Sequence, residues 1–198
     1  MLNLNDPVRF TKEEEVYIEA NLKPKEKEGW SDSAPKTIAI KHHISEHTII
    51  AQGGRCAYCE NVLAKGDVDI EHIAPKKHYG KFTFEPYNLV SSCKCCNAPM
   101  NKGQNKTIVE PVNEMEYDAN RFSIVHPYFD APDDHIKYLD SERTIIDTVN
   151  CSAKGKETIN MLHWGEEWAL YKRLLVASMR HFPINVLVLA AEISTYRR

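Results

Sequence analysis

Apolar positions are sparse and irregular over residues 1–34, where charge dominates and Lys23-Pro24-Lys25-Glu26-Lys27-Glu28 reads as a solvated stretch. The pattern changes at Pro35. Ile40, Ile44, Ile49 and Ile50 recur at a rough helical spacing, which predicts a helix from Pro35 to about Gln52, stopped by Gly53-Gly54. His43 and His47 lie one turn apart on it and, lacking a third ligand, read as surface or boundary residues. Thr107 to Asp140 is rich in Pro, Asp and Tyr, the composition of extended structure and loops. From about Lys154 the chain reads as helical. Trp164, Trp168, Tyr171 and Leu175 fall on one face, a core or helix-packing stripe, before Pro183 breaks the pattern and a last helix runs from about Ile184 to Tyr196. Three segments follow: residues 1–54 with one helix, a dense central stretch over 55–106, and a loop-rich then helical 107–198.

The longest apolar run, Ile184 to Ala191, is interrupted by Asn185 and falls far short of the ~20 residues a membrane span needs. Three consecutive glutamates near the start are unlike a signal peptide, so the expectation is a cytoplasmic protein with no membrane partner. The net charge of −3 argues mildly against a protein that coats nucleic acid by charge alone. Its distribution says more. Lys76 to Lys106 holds six lysines against Glu85, while Thr107 to Glu142 holds nine acids against Arg121 and Lys137. A basic stretch beside an acidic one suggests a local phosphate-facing surface.

Six cysteines in a chain expected to stay in a reducing compartment point to metal rather than disulfides. Cys56-Ala57-Tyr58-Cys59 and Cys93-Lys94-Cys95-Cys96 each present two thiols at the spacing that lets a tight turn aim both sulfurs at one ion. The two turns together make a closed four-cysteine site of the structural zinc type. Cys95 and Cys151 are left over as non-ligands. The 33 residues between the pairs are more than a plain zinc ribbon needs, so something is inserted between the knuckles.

That insert holds Asp69-Ile70-Glu71-His72-Ile73-Ala74-Pro75-Lys76 and Asn88-Leu89-Val90, and the second knuckle continues as Cys96-Asn97-Ala98-Pro99-Met100-Asn101-Lys102-Gly103. This pattern resembles the HNH (ββα-metal) endonucleases over roughly residues 55–106. The resemblance implies an α+β fold in which a β-hairpin and helix cup a metal, zinc knuckles close the base, and an N-terminal helix and C-terminal helical region flank the core. It also implies His72 as general base, Glu71 and Asn97 as ligands of a catalytic cation, and Asn88 as the residue pinning the loop that carries the histidine. Asp69 is a weaker candidate for positioning the metal or strand. A histidine titrating near neutrality suits a base for phosphodiester hydrolysis. A Glu and an Asn amide oxygen form a hard set that favours Mg2+ or Mn2+ over a second zinc. Many relatives carry His at the Asn97 position and Asp at the Glu71 position. Lys76, Lys77, Lys81, Lys94 and Lys102 are candidates for phosphate contacts, and His78, Tyr79 and Phe82 for stacking on bases.

Two further stretches, Gly53-Gly54-Arg55-Cys56-Ala57-Tyr58-Cys59-Glu60 and His126-Pro127-Tyr128-Phe129-Asp130, resemble the HNH nuclease subunits of Septu-type and retron-associated antiphage defence systems of bacteria. That resemblance implies a DNA-cutting effector, with RNA left open as substrate, working with an ABC-type ATPase. The chain shows no Gly-rich phosphate loop of its own. The apolar C-terminal positions Leu174, Leu175, Met179, Phe182, Val186, Leu187 and Leu189 form either a docking surface for such a partner or a second helical core layer. Two other readings stand beside this one: a stand-alone restriction-type HNH endonuclease, and a zinc-stabilised nucleic-acid-binding module without activity.

Overall fold

The computed structural model describes residues 1–109, 116–180 and 184–196. It is an α+β arrangement of short helices around a two-stranded antiparallel sheet. The chain opens with α1 (Lys12–Tyr17), started by a capping box between Thr11 and Glu14, and reaches a short α2 (Lys27–Trp30). Pro35 then occupies the first turn of α3 (Pro35–Ala51), where its missing N–H leaves no bond unmade. Gly53 and Gly54 end this helix with positive φ of 61° and 72°. A Cβ on Gly54 would come 2.9 Å from Leu189 Cδ2, so the stop is also a point of close approach.

The buried face of α3 mixes Ile40, Ile44 and Ile49 with Thr37, Ser45 and Thr48. The polar members have work to do. Thr48 Oγ1 lies 2.8 Å from Ser91 Oγ, and Gln52 donates to Ser91 O (2.8 Å) while accepting from Ser91 N (2.7 Å). This clamp fixes the helix to β2 (Leu89–Cys93), which pairs with β1 (Val68–His72) in the register Val68↔Cys93 to His72↔Leu89. Alternation along β1 puts Asp69 and Glu71 on one face and Ile70 and His72 on the other. The second strand runs directly into α4 (Lys94–Asn97).

Three apolar clusters surround the hairpin. One groups Val68, Cys93, Cys96, Trp164 and Ala190 on the knuckle side; a second groups Ile73, Tyr79, Phe82 and Phe122; a third packs Leu22, Ile40, Ile44 and Phe84 against the N-terminal helices. Tyr79 (3% exposed) and Phe82 (5%) are therefore core residues, and their rings are not free to stack on bases as their sequence context suggested.

The segment after residue 116 is mainly loop, with α5 (Pro132–His135) inside it, as its composition predicts. It leads to α6 (Ala153–Met161), α7 (Glu167–Met179) and α8 (Val186–Tyr196), the last packed along α3. The anticipated Trp164–Leu175 stripe departs from this. A turn through His163, at φ 51°, separates Trp164 from α7, and Tyr171 and Leu175 face solvent. The inward face of α7 is instead Ala169, Lys172, Arg173 and Val176. Its long cations reach polar atoms: Arg173 donates to Thr144 O (2.7 Å) and Trp164 O (2.9 Å). Phe182 lies outside the described residues. No helix among the described residues is long and apolar enough to cross a membrane.

Candidate metal centre and active site

The sulfurs of Cys56, Cys59, Cys93 and Cys96 all lie within 4.8 Å of one another. Cys59 Sγ and Cys93 Sγ are 3.7 Å apart. Tetrahedral zinc–thiolate bonds of ~2.3 Å imply sulfur separations of about 3.8 Å, so the set fits a zinc-like ion. The first knuckle is closed by Glu60 N on Cys56 O (3.0 Å) and Cys56 N on Asn61 O (2.8 Å), with Glu60 at φ 62°. The second arises because β2 delivers Cys93 and the first turn of α4 delivers Cys96.

Hydrogen bonds from neighbouring thiols, with burial adding, push Cys59 and Cys96 well above the usual thiol range. Four sulfurs this close ionise together only around a cation. Lys172 of α7 supplies part of that charge from outside, its Nζ 4.0 Å from Cys93 Sγ. Burial alone would lower this ammonium, but the sulfurs of Cys93 and Cys59 hold it above its ordinary value. Cys95 and Cys151 stay out of the cluster, and the Cys151 thiol donates to Asp147 O (3.1 Å).

Beside the hairpin, a cavity of about 150 Å³ is lined by Glu71, His72, Lys76, Asn97 and Gln104, among others. His72 ends β1, so the chain turns away after it, and both it and Glu71 reach one cavity despite pointing to opposite faces of the strand. His72 Nε2 lies 3.1 Å from Thr83 O. A carbonyl only accepts, so Nε2 carries the proton and Nδ1 is the nitrogen with a free lone pair. Burial, reinforced by the charges of Lys76 and Lys102, holds the imidazole well below its usual pKa and therefore neutral. Trp30 of α2 meets the ring edge-on at a centroid distance of 4.5 Å.

Glu71 Oε1 accepts from Tyr58 OH (3.3 Å) and is ion-paired to Lys102 Nζ. Both donors fall on Oε1, so Oε2 is the oxygen left for a cation. Burial raises Glu71 above and lowers Lys102 below their ordinary values, against their mutual attraction. Asn97 Nδ2 donates to Asp69 Oδ2 (3.2 Å), which leaves the amide oxygen as its remaining donor to metal. The cavity therefore holds two hard oxygens beside a neutral imidazole, a set that fits a hard divalent cation.

Asn88 is fully buried. Its Oδ1 accepts from Ala74 N (2.6 Å), and its Nδ2 donates to Ala74 O (3.1 Å) and Phe82 O (2.8 Å), tying together both sides of the loop after His72. A chain of side chains not anticipated from sequence supports it. Tyr117 OH donates to Asn88 Oδ1 (2.9 Å) and so accepts from His126 Nε2 (3.0 Å), while His126 Nδ1 accepts from Tyr128 N (3.2 Å). Asp130 completes this turn by accepting from His126 N (2.7 Å) and pairing with Lys154 (2.8 Å).

One proposed phosphate contact needs correction. Lys102 is fully buried, with its ammonium on Glu71 and on His72 O (2.8 Å), so it braces the site from behind and does not face a ligand's backbone. The turn that sends it inward requires Gly103, at φ 45°, where a Cβ would meet Pro99 Cα at 2.9 Å. Lys76 is half-buried at the cavity, whereas Lys77, Lys81 and Lys94 are exposed. Tyr58, Thr83, Trp30, Tyr117 and the inward role of Lys102 escape sequence reading. Only the Lys-Gly dipeptide at 102–103 carried any signal.

No family model matches the chain, and no solved structure matches it. Among curated proteins it is similar to the Septu protein PtuB of Bacillus thuringiensis, 28% identical over 155 residues, which are 77% of this chain and 53% of that protein. It is also similar to protein ea31 of Escherichia phage lambda, 33% identical over 82 residues, 41% of this chain and 23% of that protein. The chain thus spans about half the length of PtuB and about a quarter of ea31.

Proposed function

We propose that this protein is an HNH-type, metal-dependent endonuclease that hydrolyses phosphodiester bonds of DNA, with residues 55–106 as the nuclease core held by a structural zinc. The observation that carries the reading is His72. Its Nε2–H is spent on Thr83 O, which leaves Nδ1 as a fixed base at a cavity shared with Glu71 and Asn97. In this reading His72 Nδ1 takes the proton of the attacking water. Its neutrality keeps the lone pair available, and the bond to Thr83 O holds the ring while charge develops on it. Asn88 fixes the loop behind His72, and Lys102 holds Glu71 with Oε2 free. A hard divalent cation, Mg2+ or Mn2+, bound by Glu71 and Asn97 would supply charge to the phosphate and the leaving oxygen. Lys76 brings a further positive charge to the phosphate.

The similarity to the Septu protein PtuB supports a place in antiphage defence. With it comes the proposal that cutting is licensed by an ABC-type ATPase. Leu174, Leu175, Leu187 and Val188, each about half exposed or more, give α7 and α8 an apolar outer surface that such a partner would cover.

The deciding experiment is cleavage of plasmid DNA, with tRNA in parallel, in Mg2+ or Mn2+ by the wild type and His72→Ala. The partner ATPase is included and omitted in turn. Metal-dependent cutting lost in a variant that stays folded and still binds nucleic acid supports the nuclease. Equal cutting by both proteins removes His72 as the base, and no cutting by either with the partner present removes the nuclease in favour of a binding module.

A further inference from the structure

Nothing in the sequence assigns chemistry to residues 26–32, yet the fold fastens them at three points, one of them against His72. Glu26 adopts φ 51° and ψ −123°, a strained conformation for a residue with a side chain, and leans over Gly80 so closely that a Cβ there would meet Glu26 Oε2 at 2.5 Å. Trp30 sits edge-on to His72 and 5.6 Å from the Phe84 ring. Lys41 of α3 donates to Trp30 O (3.2 Å), while Asp32 accepts from Ala34 N (2.8 Å) and Thr37 Oγ1 (3.1 Å). The segment is a braced arm.

Between this arm and the turn after β1 lies a second cavity of about 370 Å³, lined by Lys27, Glu28, Ser31, Lys76, Lys77 and Gln104. It shares Lys76 and Gln104 with the cavity that holds His72 and Glu71, so the two are adjoining compartments of one groove. Three ammonium groups face one carboxylate, Glu28, which lies 3.5 Å from Lys27 in a loose exposed pair. Lys77 has no ionic partner among the described residues. Lys76 stands at the junction with its ammonium 5.8 Å from the Trp30 ring centroid.

We propose that this outer compartment is a phosphate subsite: Lys27 and Ser31 on the arm, with Lys77 opposite, hold the sugar-phosphate backbone of a nucleic acid beside the bond that His72 attacks. The inference rests on the nuclease reading and adds to it a binding wall in which an arm from outside the 55–106 core faces Lys77 of that core. Phosphate contacts of this kind set register without reading sequence. Because the arm is already fixed by Glu26, Trp30 and Asp32, little order is lost when the backbone enters.

Fluorescence anisotropy on labelled duplex DNA, single-stranded DNA and RNA tests this, with the full chain carrying His72→Ala so that nothing is cut. Adding Lys27→Ala and Lys77→Ala, both at exposed positions, is expected to weaken binding several-fold at low salt. It is also expected to reduce the slope of log K against log[salt] on duplex DNA by about 1.8, roughly 0.9 for each lost contact. Glu28→Gln is expected to tighten binding, a change that misfolding does not produce. If the His72→Ala protein binds but the lysine variants leave affinity and slope unchanged, the subsite is overturned and the nuclease reading stands. If that protein binds none of the three nucleic acids and the wild type cuts none, both fall together.

Discussion

Lys102 and Glu71 show how a single inward side chain can set the chemistry of a site. Two buried ions are tolerated because each neutralises the other and His72 O takes a further ammonium proton. Removing one partner leaves the other charged and dry. Lys102→Met should therefore destabilise the protein by about 3–5 kcal/mol, and adding Glu71→Gln should recover much of that loss without restoring cutting. Urea unfolding of the single and double variants measures both numbers, and additive losses would show that the two groups are not coupled. His126 gives the pH dependence at this scale. Burial, with Lys154 nearby, pulls it down to about 3 from 6.5. Protonation then favours the unfolded chain, so the stability tied to neutral His126 is complete above about pH 6.5 and is lost as pH falls toward 3. Between pH 7 and 5 the wild type should lose about 2 kcal/mol more than His126→Gln, which starts lower because Tyr117 and Tyr128 lose their partner. Parallel stability curves for the two proteins over that interval would remove His126 as the cause.

At the scale of elements, the knuckles were legible because two Cys-x-x-Cys turns impose their own geometry whatever surrounds them. The helix α3 was legible because Pro35 and the two glycines mark its ends chemically. The α7 face was misread for a physical reason. Its partners are thiolates and loop carbonyls, so the residues that pack inward are Lys172 and Arg173 between small apolar positions, while the large apolar ones face out. Apolar periodicity finds a helix face only where its neighbour is also apolar. With zinc on the four cysteines, as proposed, this docking couples α7 to the metal. Stripping zinc with a strong chelator should leave Lys172 without its thiolate partners and release α7 together with the knuckles. The thermal transition should then drop or broaden, and re-adding zinc should restore it. Lys172→Met should lose zinc to the chelator faster than the wild type. A chelated, zinc-free protein that melts at the wild-type temperature would show that the cysteines are not a structural metal site.

Across the whole molecule, Glu71, His72 and Asn97 line one cavity, and Asn88 ties the loop that follows His72. What sequence did not disclose is how much of the site comes from outside residues 55–106. Tyr117 and His126 brace Asn88 from the C-terminal side, and Trp30 covers His72 from the N-terminal side. These are single side chains brought in by tertiary contact, and no local spacing encodes them. Trp30 tests whether the site is a finished unit within the motif or is completed by the arm. Its ring touches both His72 and Phe84, so Trp30→Ala removes the edge contact that orients the imidazole and opens the third apolar cluster to water. The half-buried position makes the stability loss smaller than the ~3–5 kcal/mol of a fully buried Trp. In the proposed nuclease, the cleavage rate under single-turnover conditions should fall about tenfold or more, because a base that can swing off line rarely meets the water it must deprotonate. Trp30→Phe keeps an aromatic edge and should recover most of the rate. If Trp30→Ala cuts at the wild-type rate while its urea midpoint falls, the arm stabilises the fold alone and the motif is sufficient to hold His72.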